Sequence, residues 1–251
     1  MKESEMIFGT RAVIEAVLAR KEVDKILIRR DLQNDLSREL FQIVKETNIP
    51  IQRVPLEKLD RLTRKNHQGV IAFISAVTYQ KLDDIVPFLY EEGKNPFIVL
   101  LDGVTDVRNF GAIARTCECA GVNALVIPAH NSVSVNADAI KTSAGALLNI
   151  PVCKEASITE AIRFLKNCGY KVAAATEKAE NEYTTIDYAA TPVALVLGGE
   201  DRGISFDNLR ICDEMVKIPI LGNIASLNVS AAAAVLIYEV VRQRTHFLSH
   251  I

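Results

Sequence analysis

Neither sign of charge dominates this sequence, tryptophan is missing and aromatic residues make up only 6% of it. The 29 Lys and Arg against 31 Asp and Glu leave a formal net charge of −2. That balance excludes a protein that coats nucleic acid by bulk charge. Cys117, Cys119, Cys153, Cys168 and Cys212 form no C-x-x-C pair. With His67, His130, His246 and His250 they show no zinc spacing and no triad arrangement, so no metal is expected. The five cysteines read as free thiols, small buried hydrophobes in a reducing cytoplasm. The most apolar stretches, such as Ala231–Val241, are short and broken by Glu239. None approaches the roughly 20 residues of a membrane-spanning helix. The acidic start, Met1–Glu5, leads into no apolar run, so no signal peptide is expected. G-x-G-x-x-G and G-x-x-x-x-G-K-[ST] are both absent, which leaves a standard dinucleotide site or P-loop unsupported.

The 251 residues are enough for one or two domains and a substantial core. Split at residue 78, the charge is uneven. The first part carries 14 basic and 11 acidic residues (+3), the remainder 15 and 20 (−5). Much of the positive excess falls between Arg53 and His67, where Arg53, Lys58, Arg61, Arg64 and Lys65 face Glu57 and Asp60 in composition. The stretch suits either a solvated face or a phosphate-binding patch.

Periodicity predicts a compact α/β unit over residues 1–78. Its helices follow Thr10 as N-cap, the stripe Leu36, Leu40, Ile43 and Val44, and Leu56–Leu62; its strands are Ile26–Ile28, Ile49–Val54 and Val70–Val77. Residues 79–95, polar and holding Pro87 and Gly93, read as a helical linker. From Pro96 the strands become largely apolar: Phe97–Leu101, Ala124–Ile127, Lys171–Ala175, Val193–Leu197 and Glu214–Ile218. Helical patterns separate them, and a long helix from about Leu227 closes the chain. Residues 96–251 therefore read as a doubly wound domain with a parallel sheet, whose ligands bind beyond the carboxyl ends of the strands.

Three strand-end loops carry the candidate chemistry. The first, from Asp102 to Arg115, gathers carboxylates, an amide and guanidiniums at a helix start. Asn109 is a candidate N-cap, and Arg115, about two turns in, is expected along one face toward the same mouth. The second, Gly198-Gly199-Glu200-Asp201-Arg202-Gly203-Ile204, suits close approach of a ligand to backbone, or simply a tight turn. The third, Pro219 to Ser230, is apolar and then offers hydroxyl and amide groups, an apolar slot for a planar ligand such as adenine. Ser226 alternatively caps the last helix. Lys141 to Ala146 supplies small residues suited to helix packing.

In this order the loops resemble the motifs of the SpoU branch of the SPOUT RNA methyltransferases. The matching residues are Asn109-x-Gly111-Ala112-x-x-Arg115, Leu197-Gly198-x-Glu200-x-x-Gly203-Ile204, and Ile218-Pro219 leading to Ser226-Leu227-Asn228-Val229-Ser230, with Ser143-Ala144-Gly145-Ala146 between. Phe8-Gly9 and His67-Gln68-Gly69-Val70 resemble the small ribosomal-protein-like RNA-binding domain of members acting on large-subunit rRNA. The nearest resemblance is to enzymes making 2′-O-methylguanosine there. Val107 departs from a common proline and Gly199 from a common serine or alanine.

The resemblance implies a deep trefoil knot, S-adenosylmethionine bound in it, and a cytoplasmic homodimer whose active site draws on both subunits. Leu197, Gly198, Gly199, Glu200, Ile218, Ile220, Leu227 and Asn228 would contact the cofactor. Arg115 would stabilise the developing alkoxide of a ribose 2′-hydroxyl, since a guanidinium stays protonated. Asn109 would position Arg115 and the ribose, and Glu200, Ser226 and Asn228 would hold the reacting groups in line. Arg53, Arg61, Arg64, Lys65 and His67 are the candidate RNA contacts; with few aromatics to stack bases, capture by basic side chains and shape is expected. Rival readings are a tRNA ribose methyltransferase and a non-catalytic ribosome-assembly factor.

Overall fold

In the computed structural model of the protein, residues 6–47, 49–91, 93 and 95–248 are described, with side chains as far as Thr245. Met1–Glu5, His250 and the His246 side chain lie outside them. The chain forms two compact units, Met1–Thr78 with Ser134–Asp138, and Tyr79–Val133 with Ala139–Ile251.

The first unit runs β1 (Met6–Phe8), α1 (Thr10–Leu18), β2 (Val23–Arg29), α2 (Asp35–Lys45), β3 (Ile51–Val54), α3 (Leu56–Leu62) and β4 (Val70–Ile74). Its sheet has the order β1-β4-β2-β3, with β2 and β3 parallel and the other pairs antiparallel. Alternation along the strands divides the core. Ile26, Ile28, Val70 and Ala72 face Val13, Ile14 and Val17 of α1 and Leu40 and Val44 of α2. Leu27, Ile71 and Phe73 face the other way, beneath Leu59 of α3. Asn34 caps α2, accepting from Ser37 N at 2.8 Å while Ser37 Oγ accepts from Asn34 N at 3.0 Å. Gly9, not Thr10, precedes α1; Thr10 is buried as its first helical residue.

The second unit runs α4 (Leu82–Glu91), β5 (Phe97–Asp102), α5 (Val107–Cys119), β6 (Ala124–Pro128), α6 (Ala137–Thr142, of which Ala137 and Asp138 belong to the first unit), β7 (Val152–Glu155), α7 (Ile158–Asn167), β8 (Lys171–Ala175), β9 (Asn181–Glu182), β10 (Val193–Gly198), α8 (Phe206–Ile211), β11 (Glu214–Lys217) and α9 (Val229–Leu248). The sheet is parallel throughout, in the order β7-β6-β5-β10-β8-β11-β9. Residues 79–95 are not a linker: Leu82, Val86 and Leu89 of α4 are buried in one core with Ile98, Leu100, Val172 and Ile162. α9 packs against α5.

The last turns of α9 are fastened by polar contacts. Arg244 donates to the carbonyls of Asn95 at 2.6 Å, Tyr188 at 3.2 Å and Pro96 at 3.3 Å. Gln243 donates to Ile186 O and accepts from Tyr188 N. Hydrogen bonds from Arg242 hold the nearly buried Glu239 carboxyl below its usual range, with Gln243 adding to the effect against desolvation. A lowered native pKa stabilises the fold above the unfolded carboxylate value of roughly 4.3, and that contribution is lost as pH falls through the native value. Glu239→Gln is therefore expected to be less stable than wild type at pH 7, with the gap in melting temperature narrowing as pH falls below the unfolded carboxylate value of roughly 4.3. A gap independent of pH would contradict this account.

The cysteines are free thiols. Burial pushes Cys117 up, and Cys153 and Cys212 up to about 12. Cys119 departs from the expected burial: it is exposed, because two residues along a helix turn it away from Cys117.

Candidate active site

The parallel strands β8, β10 and β11 end side by side, and the loops that follow them enclose a cleft of about 560 Å³. Leu197, Gly198, Gly199, Glu200, Ile218, Ile220, Ser226, Leu227 and Asn228 all line it. The wall after β10 is built on close backbone approach. A Cβ on Gly198 would lie 2.2 Å from the Gly203 carbonyl carbon, and one on Gly199 would lie 2.3 Å from the Gly103 carbonyl oxygen. The loop doubles back, with Gly203 N donating to Gly199 O at 2.8 Å. The opposite wall is apolar and open; Leu221 in the same loop is 99% exposed.

Asn228 is the hub of the polar end. Its Nδ2 donates to Asn109 Oδ1 at 3.0 Å and to Glu200 Oε1. Its Oδ1 accepts from Ser230 N at 2.9 Å and Ser230 Oγ at 2.5 Å. Both protons and both lone pairs of the amide are thereby engaged, which fixes its rotamer. Asn228 caps α9 through Ser230 N, so the cap is not Ser226, whose side chain lines the cleft.

Asn109 is not a cap either. Asp106 fills that role for α5, accepting from Arg108 N and Asn109 N at 2.9 Å each. This frees the Asn109 amide to reach Asn228. Asn109 makes no contact with Arg115 that would position it: six residues of helix place the two roughly 120° apart around the axis. Arg115 is exposed and does not line the cleft, and among the described residues its guanidinium has no hydrogen bond or ion pair. Behind α5, Gly111 lets the end of α6 approach so closely that an added Cβ would stand 2.2 Å from Thr142 Oγ1. Ser143 is wholly buried there, which gives the small-residue stretch its packing role.

In the first unit, Arg61, Arg64 and Lys65 are exposed. Arg53 is exposed too, donates to Arg30 O at 3.1 Å and lies over the Phe41 ring. His67 does not belong with them. It is 7% exposed, its Nδ1 accepts from Gly69 N at 3.0 Å, and its Nε2 lies 3.0 Å from Asp60 Oδ1. With Nδ1 accepting, Nε2 carries the proton and donates it to Asp60, so neither ring nitrogen is left for a ligand.

Thr176, Glu177, Lys178 and Lys217 also line the cleft and were missed from sequence. The available signal was positional: Thr176, Glu177 and Lys178 follow β8 and Lys217 ends β11, strands whose carboxyl ends fall in the same row. Among the described residues no group of three His, Cys, Asp or Glu side chains could hold a metal ion, and no helix is long and apolar enough to cross a membrane.

A parallel α/β domain with a cleft at its strand ends is joined in the chain to a small α/β unit that bears exposed cations, which defines a two-unit α/β protein. Residues 96–238 match the SpoU rRNA methylase family, and residues 6–80 match the substrate-binding family of RNA 2′-O ribose methyltransferases. The chain belongs to the SpoU family of RNA methyltransferases. It is 32% identical over 97% of its length to a TrmH family tRNA/rRNA methyltransferase of Bacillus subtilis, covering 97% of that protein. A Staphylococcus haemolyticus relative of the same description is 36% identical, with 96% of this chain and 97% of that one covered. Among solved structures, the SpoU methyltransferase AviRb of Streptomyces viridochromogenes shares the fold over 96% of this chain and 90% of its own, with TM-score 0.61 at 22% identity. The TrmH/SpoU tRNA modifying enzyme of A. aeolicus is 30% identical and covers 61% of this chain and 78% of its own, with TM-score 0.56.

Proposed function

We propose that this chain methylates the 2′-hydroxyl of a ribose, that of a guanosine, in large-subunit ribosomal RNA, using S-adenosylmethionine and acting as a cytoplasmic homodimer with a deep trefoil knot. The observation that carries the reading is the polar Asn109–Asn228–Glu200 cluster at a cleft with an apolar wall, together with the match of residues 6–80 to an RNA substrate-binding family.

The cleft fits the cofactor. Its volume lies within the roughly 300–1,000 Å³ of ligand pockets. Leu197, Ile218, Ile220 and Leu227 offer apolar surface for a purine, and the bare backbone at Gly198 and Gly199 permits close approach. Charge along the lining is balanced, with Glu177, Glu200 and Asp201 against Lys178, Arg202 and Lys217, so any attraction for a sulfonium would be local to the carboxylates. When bound, S-adenosylmethionine supplies an activated methyl group for attack by a ribose oxygen. The chain's own contribution is orientation and field. Asn228 ties Glu200 and Asn109 together through its two amide protons, which would orient the groups that receive the ribose. Arg115, exposed and unpaired among the described residues, stabilises the alkoxide that develops on the attacking oxygen. Since Arg115 does not line its own subunit's cleft, it is assigned to the site of the second subunit.

The test is to incubate the purified protein and labelled S-adenosylmethionine with undermodified large-subunit rRNA and with tRNA, then map the methylated ribose. Label in rRNA is expected. Label in tRNA alone would replace the substrate assignment, and label in neither would leave a non-catalytic assembly factor. For docking, Arg61, Arg64 and Lys65 changed together to Ala should raise KM for RNA about tenfold and flatten its log–log salt slope by about 2, three phosphate contacts' worth. An unchanged KM would refute the docking role.

A further inference from the structure

We propose that Asp102 is a positioning residue for the cofactor cleft, pinning both ends of the loop that carries Glu200. The inference rests on reading that cleft as the S-adenosylmethionine site. Asp102 is the last residue of β5, paired in register with Gly198 at the end of β10. Its main-chain carbonyl accepts from Gly199 N at 2.9 Å, where the loop leaves the sheet. Its carboxylate Oδ2 accepts from Ser205 N at 2.9 Å, where the loop ends before α8. One residue that lies outside the cleft lining thus closes a loop whose residues 200–203 form a cleft wall.

The carboxylate is itself aimed by a buried relay. Oδ2 also accepts from Asn208 Nδ2 at 2.8 Å, and Asn208 Oδ1 accepts from Thr159 Oγ1 at 2.7 Å. Asn208 is 3% exposed, so its amide has no solvent alternative. The flipped amide would set its oxygen against the Asp102 carboxylate, two acceptors in contact, which excludes that orientation. The relay therefore has one state: Thr159 orients Asn208, Asn208 orients Asp102, and Asp102 holds the loop. Within that loop, Glu200 is the residue that meets Asn228. A shift of the loop carries Glu200 away from Asn228 Nδ2 and displaces the carboxylate end of the cleft.

Equilibrium binding of S-adenosylmethionine by calorimetry, together with steady-state kinetics and melting temperature, tests this. Asp102→Ala should raise Kd and KM for the cofactor at least about tenfold, the scale of lost hydrogen bonds to a charged acceptor, with KM for RNA unchanged. Asp102→Asn, whose side-chain carbonyl can still take both N–H donors, should stay within about threefold of wild type. Thr159→Val, nearly isosteric, should raise Kd by a smaller factor by freeing the Asn208 amide, and it remains informative if Asp102→Ala does not fold. Wild-type affinity in both Asp102→Ala and Thr159→Val would overturn the proposal, as would an Asp102→Asn variant as weak as Asp102→Ala. Failure of the wild-type protein to bind S-adenosylmethionine would instead overturn the cofactor reading, and this inference with it.

Discussion

Arg115→Ala is expected to lower kcat for methyl transfer by about 10²–10³, the usual loss when one preorganised donor to a developing oxyanion is removed. Binding of S-adenosylmethionine should change by less than about threefold, because Arg115 does not line the cleft. The melting temperature should hold, since the exposed guanidinium has no partner to lose among the described residues. The assignment of Arg115 to the neighbouring subunit's site sharpens the experiment. Mixed dimers of Arg115→Ala with a subunit unable to bind the cofactor should regain activity, up to one working site of two. If Arg115 served its own cleft, every site in such a dimer would lack either the arginine or the cofactor, and no activity would return. Restored transfer in mixed dimers and loss in each parent would establish the arrangement; silence in the mixture would refute it.

How far the sequence discloses this protein depends on whether the information is local. The central strands were legible because burial on both faces demands unbroken apolar runs, as in Phe97–Leu101 and Val193–Leu197. The edge strands β1, β7 and β9 were not: they are two to four residues long, and β9 is exposed. The helix of residues 82–91 was legible, but its polar surroundings and Pro87, which lies within it, made it read as a helical linker and hid its place in the core. Burial of Leu82, Val86 and Leu89 overrides the local preference.

The same division runs through the site. The loops after β10 and β11 were found because each follows an apolar strand and holds glycine or amide groups. Their partnerships were not, since the Asn109–Asn228 bond joins residues 119 apart in sequence and no local pattern encodes it. Asp106 and Asn109 are both good capping residues, and only the backbone geometry of α5 shows which one caps. His67 was grouped with its basic neighbours by proximity in sequence. Instead, Gly69 N in the turn before β4 and the Asp60 carboxylate of α3 occupy both of its ring nitrogens.

Gly198→Ala is expected to weaken cofactor binding more than any single side-chain truncation in the cleft. The added methyl would stand 2.2 Å from the Gly203 carbonyl carbon and 2.3 Å from Ile204 N. Both are backbone atoms, so no rotamer change can make room. The loop must move as a whole, and it is tethered at Gly199 N and Ser205 N to Asp102. Overpacking of this kind costs about 1–3 kcal/mol where the chain yields. Here the yielding segment is the cleft wall that bears Glu200 and Arg202, so the strain appears as lost affinity: a rise of at least about 30-fold in Kd, equivalent to about 2 kcal/mol. RNA affinity, assigned to the first unit, should be unaffected. Gly222→Ala is the matched comparison, because a Cβ there meets nothing within 4 Å, and it should bind S-adenosylmethionine like wild type. Calorimetric titration of both variants settles the point: equal affinities for Gly198→Ala and wild type would show that the close backbone crossing at Gly198 does not shape the cofactor site.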